Sequence, residues 1–222
     1  MQNHFSGTAS LSWTKMRSMK NPEINGWEPK KEITGLILAG GLAKRFGGGK
    51  CTAKLQEKPL ITWVYETISP FCAEIWLSWR RPPYEGPKLP FSRIIYDESP
   101  GAGPAAALNS ALKKKKGGYL LALPCDQPLV KPELLKNLIK VVQKEPFWET
   151  IVFEDEKRIL PFPGLYSRPV PLEEGTLKEI IQKTKSLIIR EEIWREWDRE
   201  GLSFFNINYQ EDLKKAEGLI QG

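Results

Sequence analysis

Two glycines and two cations follow a short apolar run, in the order Gly40, Gly41, Arg45 and Lys50. Because glycine has no Cβ, the backbone at this point can approach a ligand and offer its N–H groups. Arginine binds phosphate oxygens in a bidentate manner, and lysine meets them as a point charge. The combination favours a bound polyanion such as a nucleoside triphosphate. The alternative interpretation is a tight turn that carries two surface cations.

A carboxylate stands between two prolines in the segment Pro124-Cys125-Asp126-Gln127-Pro128. Proline restricts the backbone, so Asp126 is expected to be fixed just beyond a buried strand. Mg²⁺ prefers one or two carboxylates together with phosphate oxygens and water. We therefore expect Asp126 to bind Mg²⁺ beside a triphosphate. The alternative is an aspartate that only caps the helix that follows.

A second carboxylate, Asp97, ends another short strand and precedes a loop with Gly101 and Gly103. Asp97 can accept hydrogen bonds from a base or a ribose, or it can be an ordinary turn residue. The two glycines allow a flat base to approach the backbone, or they simply make the loop flexible before a helix.

Composition excludes several kinds of chemistry. The only histidine is His4, near the N-terminus, so histidine-based acid–base catalysis, Ser-His-Asp triads and most transition-metal sites are excluded. The three cysteines, Cys51, Cys72 and Cys125, are few and widely spaced. This pattern argues against a disulfide framework and a zinc site, and it is typical of a reducing, cytoplasmic compartment.

The formal net charge of +6 favours anionic partners such as nucleotides, or it reflects only a lysine-rich surface. The basic run 113–116 has no aromatic pattern beside it, so we expect no nucleic-acid partner. No apolar run reaches the length of a membrane span, so we expect no membrane association.

Apolar runs alternate with helical patterns in the first part of the chain, which indicates βαβ units. The predicted fold class is α/β: a three-layer α/β/α sandwich with a Rossmann-like, mostly parallel sheet. The predicted strands are Ile33 to Ala39, Glu74 to Ser78, Arg93 to Tyr96 and Tyr119 to Leu123. The predicted helices are Pro59 to Ile68, Ala105 to Lys115 and Pro132 to Lys144.

After Glu145, apolar runs no longer alternate with helical patterns. Residues 150–153 and 159–166 are predicted to form a hairpin that joins the sheet. Residues 175–200 are predicted to be mostly helical, 202–207 to be a last strand and 210–219 a closing helix. Residues 1–31 are expected to be a loose extension. Residues 32–222 then form a single domain, with a nucleotide half up to about 130 and an acceptor half after it.

Taken together and in order, these segments resemble the nucleotidyltransferases, and most closely the molybdenum cofactor guanylyltransferases of the MobA family. The resemblance runs from about Glu32 to the C-terminus. The matching segments are Leu38-Ala39-Gly40-Gly41, Arg45-Phe46-Gly47 with Lys50, Lys58-Pro59-Leu60, Gly103-Pro104, Pro124-Cys125-Asp126-Gln127-Pro128, Asn206-Ile207-Asn208 and Glu211-Asp212-Leu213.

The resemblance implies roles for individual residues. It implies catalytic roles for Arg45, Lys50 and Asp126, with Asp126 as the Mg²⁺ ligand, and it places Asn206 and Asn208 at the acceptor side of the cleft. The implied nucleotide-binding residues are Leu38, Ala39, Gly40, Gly41, Lys50, Ser78, Asp97, Gly103 and Asp126. The segment 161–166 and Arg168 are expected to shape the pterin side.

Three features depart from the family pattern. Gly49 stands where many members have aspartate, and Ser78 stands where some have a nucleotide-contacting asparagine. The segment after Pro104 consists of three alanines, 105–107, without the second glycine of the family. The implied activity is transfer of GMP from GTP to molybdopterin with Mg²⁺ as cofactor, by a monomer that serves molybdenum-insertion and molybdoenzyme maturation proteins. The alternatives are a related transferase that uses CTP or a sugar-phosphate acceptor, and a non-catalytic GTP-binding carrier.

Overall fold

The computed structural model describes residues 9–10, 29–41, 44–96 and 103–221. Its strands are β1 (Ala9–Ser10), β2 (Ile33–Leu38), β3 (Lys54–Leu55), β4 (Lys58–Pro59), β5 (Glu74–Trp79), β6 (Arg93–Tyr96), β7 (Tyr119–Pro124), β8 (Thr150–Asp155), β9 (Arg158–Tyr166) and β10 (Ser186–Ile189). Its helices are α1 (Pro29–Glu32), α2 (Leu60–Ile68), α3 (Gly103–Lys114), α4 (Pro132–Lys144), α5 (Leu177–Lys183), α6 (Glu191–Trp194) and α7 (Gln210–Gln221).

Eight strands form one sheet in the order β1-β10-β8-β9-β7-β2-β5-β6, and β3 and β4 form a small separate hairpin. Every neighbouring pair in the large sheet is parallel except the two pairs that involve β9. The predicted α/β fold with a mostly parallel sheet is therefore confirmed. Strand β2 lies at the centre of the first half, paired with both β5 and β7.

Helices cover both faces of this sheet, as an α/β/α sandwich requires. Helices α2 and α4 pack on one face, where Ile37 and Leu121 belong to their apolar cluster. Helices α3 and α5 pack on the other face, against Leu36 and Ala122. Neighbouring residues of β2 and β7 thus point to opposite layers, and the strands are buried throughout because both faces are covered.

The predicted hairpin is confirmed, and β9 inserts between β8 and β7 as an antiparallel strand. Its turn contains Glu156 and Lys157, both with left-handed backbone at φ 44° and 67°. Two charged, solvated residues complete the reversal here, and the two strands remain paired up to Asp155 and Arg158.

Two predictions for the second half are wrong. The mostly helical stretch 175–200 is interrupted by β10, because the run Leu187-Ile188-Ile189 pairs with β8 and extends the sheet. The expected last strand at 202–207 is a 3₁₀ turn, Leu202–Phe204, followed by irregular chain. Its link to the end of β7 is a single backbone hydrogen bond from Ile207 N to Asp126 O (2.9 Å), rather than a ladder.

Within the N-terminal extension, β1 pairs with β10 and forms one edge of the sheet, and α1 is a helical turn that leads into β2. Most of the extension lies outside the described residues, so its expected looseness stays a prediction. Among the helices in the described ranges, none is both long and apolar enough to cross a membrane.

The entry into β7 fits tightly against the entry into β2. Gly117 and Gly118 precede β7 with φ values of 68° and 62°. A Cβ added to Gly118 would lie 2.2 Å from the backbone oxygen of Glu32, whereas one added to Gly117 would meet nothing within 4 Å. Glycine at 118 is therefore required by both backbone conformation and contact, and glycine at 117 by conformation alone.

We expect Gly118→Ala to destabilise the protein clearly more than Gly117→Ala. Each variant places an alanine in the left-handed region, at a cost of about 1–2 kcal/mol. Only Gly118→Ala also forces two backbone segments apart, which adds about 1–3 kcal/mol by analogy with overpacking. Urea unfolding of both variants measures the difference, and equal destabilisation would contradict this account of how β2 and β7 are held in register.

Candidate active site

The site lies at the carboxyl ends of three neighbouring strands, β5, β2 and β7. Leu38 is in register with Ser78 on one side and with Pro124 on the other. The ladder continues one residue beyond β2, since Ala39 N donates to Ser78 O and Cys125 N donates to Leu38 O, both at 3.0 Å. The loops that follow these strands must therefore begin side by side, as ligand-binding loops do in open α/β sheets.

A cleft of about 470 Å³ opens over these strand ends. It lies in the size range of small-molecule and cofactor sites. Most of the predicted nucleotide residues line it. The lining residues are Leu38, Ala39, Gly40, Gly41, Lys50, Cys51, Ser78, Gly103, Pro104, Ala107, Pro124, Cys125, Asp126, Phe162, Leu177 and Asn206.

Lys50 and Asp126 meet inside this cleft. Lys50 Nζ lies 2.6 Å from Asp126 Oδ2 and also donates a hydrogen bond of 3.2 Å to Asn208 Oδ1. The two charged side chains are only 13% and 20% exposed, so water screens them less than it would at an open surface. The structure thus brings three of the predicted residues into direct contact.

The second oxygen of Asp126, Oδ1, is buried and has no hydrogen-bond partner among the described residues. A carboxylate oxygen in that state is suited to a cation. The described part of the chain holds no group of three or more potential protein ligands around it. This donor set fits Mg²⁺, which commonly combines one carboxylate with substrate phosphate oxygens, and it does not fit a metal held in an all-protein cage.

Gly41 lines the cleft, and none of the described residues requires glycine there. Its φ lies outside the left-handed region, and an added Cβ would meet no atom of the described residues within 4 Å. The position therefore leaves room for the close approach of a ligand, which stays a prediction from the sequence.

The opposite rim begins with helix α3 at Gly103, whose φ is 82°. Gly103 and Pro104 both line the cleft, so the first turn of a 12-residue helix faces it. The free N–H groups and the positive dipole end of a helix favour a bound anion. Asp97 lies outside the described residues, and its expected contact with the nucleoside remains a prediction.

The irregular segment that replaces the expected last strand is anchored by a buried carboxylate. Asp198 accepts hydrogen bonds from Gly201 N (3.1 Å) and Ser203 N (2.7 Å), and Ser203 Oγ accepts one from Lys131 N (2.9 Å). The segment is thereby fixed beside the loop that follows β7. Asn206 consequently reaches the cleft from irregular chain rather than from a strand.

Asp212 holds Asn208 in place at the start of α7. Its Oδ2 accepts hydrogen bonds from Asn208 N and Tyr209 N, both at 2.9 Å. These bonds, the one from Asn208 first, keep the pKa of Asp212 below its ordinary value. The sequence analysis matched Asp212 to a family segment without giving it a role. The signal was available, since an aspartate in the first turn of a helix commonly bonds the backbone before it.

The second half of the chain contributes Phe162 from β9 and Leu177, the first residue of α5, to the lining of the cleft. Thr176 caps this helix by accepting a hydrogen bond from Glu179 N at 3.1 Å. The Glu179 carboxylate reaches back to the N–H groups of residues 173–175 at 2.6 to 3.2 Å and pairs with Lys183 Nζ at 2.8 Å. Glu179 differs from a capping-box glutamate because it bonds the three N–H groups before the N-cap Thr176, and it thereby fixes the loop next to the cleft.

Two other expected residues lie elsewhere. Arg45 is exposed in the 3₁₀ turn Lys44–Phe46 and is not among the residues that line the cleft. Arg168 forms an ion pair with Glu149 at 2.7 Å, so of the expected pterin-side residues it is Phe162 that faces the cleft. The catalytic role of Arg45 stays a prediction that its position does not support.

The prediction that the spacing of the cysteines argues against disulfide bonding is wrong. Cys51 and Cys125 form a disulfide between residues 74 positions apart, with their Cα atoms 5.6 Å from each other. Cys72 is buried and is not part of this disulfide. Spacing along the chain concealed the pair, because parallel pairing of β2 and β7 brings distant loops together. The available signal was that Cys51 follows Lys50 and Cys125 precedes Asp126.

A mostly parallel sheet with these strand-end loops defines a nucleotidyltransferase fold, and solved structures agree. The 2-C-methyl-D-erythritol 4-phosphate cytidylyltransferase from Thermus thermophilus has a TM-score of 0.53 at 14% identity, over 84% of this chain and 98% of that one. Such a distant likeness shows the fold alone.

The family follows from closer comparisons. The family model for the MobA-like NTP transferase domain matches residues 35–192, which is more than half of the chain. The chain therefore belongs to the MobA-like NTP transferase family, as its motifs indicate.

Two relatives illustrate the relationship. A molybdenum cofactor guanylyltransferase of Desulfosudis oleivorans is 29% identical over 199 residues, covering 85% of this chain and 96% of its own. The crystal structure of molybdopterin-guanine dinucleotide biosynthesis protein A from Archaeoglobus fulgidus has a TM-score of 0.67 at 26% identity, covering 85% and 98% of the two chains.

The hydrogen bonds to the Glu179 carboxylate make a testable contribution to stability in acid. The hydrogen bond from the backbone of Glu173, followed by that from Lys183, lowers the pKa of Glu179 from 4.5 to about 2. The ionised carboxylate therefore stabilises the fold fully above about pH 4.5, and this contribution is lost as the pH falls to about 2. We expect wild type to unfold at a higher temperature than Glu179→Gln at pH 6, with the gap narrowing across that window.

The matched control is Glu174→Gln, which changes a neighbouring exposed carboxylate that is not the hydrogen-bond acceptor of this loop. Thermal unfolding of the three proteins from pH 6 to pH 2 provides the measurement. A gap between wild type and Glu179→Gln that does not depend on pH would argue against this role.

Proposed function

We propose that this protein transfers GMP from GTP to the phosphate of molybdopterin, which produces the guanine dinucleotide form of the molybdenum cofactor and pyrophosphate. The observation that carries the proposal is the contact between Lys50 and Asp126 at the ends of adjacent parallel strands, inside a cleft lined by glycine. Family membership and the names of the relatives support the choice of reaction.

Nucleotide binding is assigned to the backbone from Leu38 to Gly41, to the first turn of α3 and to Lys50. In the proposed complex, the triphosphate lies against the free N–H groups of the loop after β2. Lys50 is already held in the cleft by Asp126 and Asn208, so little side-chain freedom is lost when its charge meets the phosphates.

Asp126 would hold Mg²⁺ through its unpartnered Oδ1. When bound, Mg²⁺ supplies neutralisation of phosphate charge, as it does in phosphoryl transfer generally. Because Lys50 donates to Oδ2, a metal held at Oδ1 would leave this contact in place. Lys50 and Mg²⁺ would then both act on the same triphosphate.

The proposed reaction is a direct in-line displacement. An oxygen of the molybdopterin phosphate forms a bond to the α-phosphorus of GTP, the bond between that phosphorus and the β-phosphate oxygen breaks, and pyrophosphate leaves. No covalent enzyme intermediate is required. The chain contributes position and charge, from Lys50 on the phosphates and from Asn206 and Asn208 at the acceptor side.

The choice of guanine and of molybdopterin remains part of the proposal, as do the cytoplasmic location, the monomeric state and the maturation partners. The deciding assay measures pyrophosphate release with GTP, CTP and ATP, each with and without molybdopterin, before and after removal of divalent cations with EDTA. The proposal is supported if pyrophosphate release requires both GTP and molybdopterin and if EDTA abolishes it. Release with CTP alone would assign the cytidylyl alternative, and GTP binding without release would assign the carrier.

We expect Lys50→Ala and Asp126→Ala each to lower kcat/KM for GTP about a hundredfold or more, because each removes a group that acts on the developing phosphate charge. The matched control is Lys54→Ala, which removes a lysine four residues away whose side chain is 60% exposed and pairs with Glu57. Such surface pairs contribute little, so the control should retain activity. Near-wild-type turnover in Asp126→Ala would remove the metal assignment.

A further inference from the structure

The disulfide between Cys51 and Cys125 connects the two loops that carry the charged residues of the site. Cys51 directly follows Lys50, and Cys125 directly precedes Asp126. Each half of the bond is thus one residue away from a member of the Lys50–Asp126 pair. The Cα atoms of the two cysteines are 5.6 Å apart, which fixes the separation of the loops at this point.

The loop before Cys51 contains three consecutive glycines, so a link to a neighbouring segment would limit its motion. Gly47, Gly48 and Gly49 all have left-handed backbone, with φ values of 90°, 93° and 61°. An added Cβ would meet no atom of the described residues within 4 Å at Gly47 or Gly48, so these two positions face open space. Glycine has the largest backbone freedom of any residue, so three in a row allow Lys50 to move unless something fixes the turn that follows.

The noncovalent restraints on this loop are anchors at its two ends, the bonds of Thr52 and Ala53 to Gly49 O, and the contact of the Lys50 side chain with Asp126. Phe46 is buried and its backbone oxygen accepts a hydrogen bond from Gln210 Nε2 at 3.0 Å. At the other end, Leu60 N donates to Ala53 O at 2.9 Å. Between these anchors, the disulfide is the covalent link from the turn Lys50–Thr52 to the end of β7.

Both cysteines also line the cleft, although they are only 8% and 5% exposed. A reductant must therefore reach the bond from the cleft side, where the nucleotide is proposed to bind. Nucleotide and reductant compete for the same access route.

We propose that the Cys51–Cys125 bond is a positioning element of the nucleotide site, and that its reduction by a dithiol lowers nucleotide affinity. The proposal rests on the proposed function for the identity of the nucleotide. Cys51 and Cys125 are positioning residues here, acting through Lys50 and Asp126, and they take no part in the transfer itself.

The redox step is thiol–disulfide exchange. One thiolate of the dithiol attacks one sulfur of the Cys51–Cys125 bond, which breaks and leaves the other cysteine as a thiolate. The second thiolate of the dithiol then displaces the first cysteine. The dithiol is oxidised to a cyclic disulfide, and its two protons and two electrons are transferred to the two protein thiols.

Linkage gives the proposal a reciprocal consequence. If the intact bond raises the affinity for a nucleotide by some factor, the bound nucleotide must favour the oxidised form by the same factor. Saturating nucleotide should therefore slow reduction by blocking access and also shift the equilibrium toward the disulfide.

The test uses the full chain, prepared without reductant and then treated with dithiothreitol. Alkylation and mass spectrometry count the free thiols, with one expected before treatment and three after it, since the chain has three cysteines. Calorimetry with GTP and Mg²⁺, in the absence of molybdopterin, measures the dissociation constant in each state. We expect it to rise about tenfold on reduction, and saturating GTP to slow the reduction.

Two variants provide the controls. The double variant Cys51→Ser/Cys125→Ser should bind GTP as weakly as the reduced wild type and should not respond to dithiothreitol. Cys72→Ala removes the buried cysteine outside the disulfide, retains the pair and should respond as wild type does. A bond that only stabilised the fold would lower the unfolding temperature on reduction and leave the dissociation constant unchanged.

Three alkylated thiols in the untreated protein, or equal GTP affinity in both states, would overturn the proposal. If the oxidised protein does not bind GTP, the proposed function fails instead, and hydrogen exchange decides the positioning role without a ligand. Exchange at residues 44–53 should accelerate on reduction, and unchanged exchange there would count against a positioning element.

Discussion

Parallel backbone pairing between β2 and β7 is the constraint on which the rest of the site depends. It places the loop after Leu38 beside the loop after Pro124, and the ladder extends through the bond from Cys125 N to Leu38 O. Lys50 and Asp126, which are 76 residues apart in sequence, can meet only because these two strands end together. The bare backbone at Gly41 and the carboxylate at Asp126 are useful in combination, and neither would form a site alone.

Much of this arrangement can be predicted from local sequence patterns. The buried strands are short apolar runs, because both faces of a parallel sheet are covered. Helix α4 was predicted at its observed bounds, Pro132 to Lys144, because a proline in its first turn and a strong amphipathic pattern mark it. The Pro-Cys-Asp-Gln-Pro segment likewise indicated a fixed carboxylate without any knowledge of its neighbours.

The parts that sequence reasoning missed depend on contacts between distant segments. The apolar run Leu187-Ile188-Ile189 is too short for its pattern to distinguish a strand from a helix. It is a strand because it pairs with β8. The stretch 202–207 has an apolar pattern suited to a strand, yet the hydrogen bonds of Asp198 hold it as irregular chain. The disulfide was missed for the same reason, since its formation depends on a neighbouring strand rather than on spacing.

The position of Asn208 has a consequence for the order in which the site is completed during synthesis. Lys50 bonds to Asp126 across 76 residues of sequence and to Asn208 across 158. Asn208 is synthesised long after Lys50 and Asp126, so the full set of these hydrogen bonds on Lys50 can form only after almost the whole domain has been made.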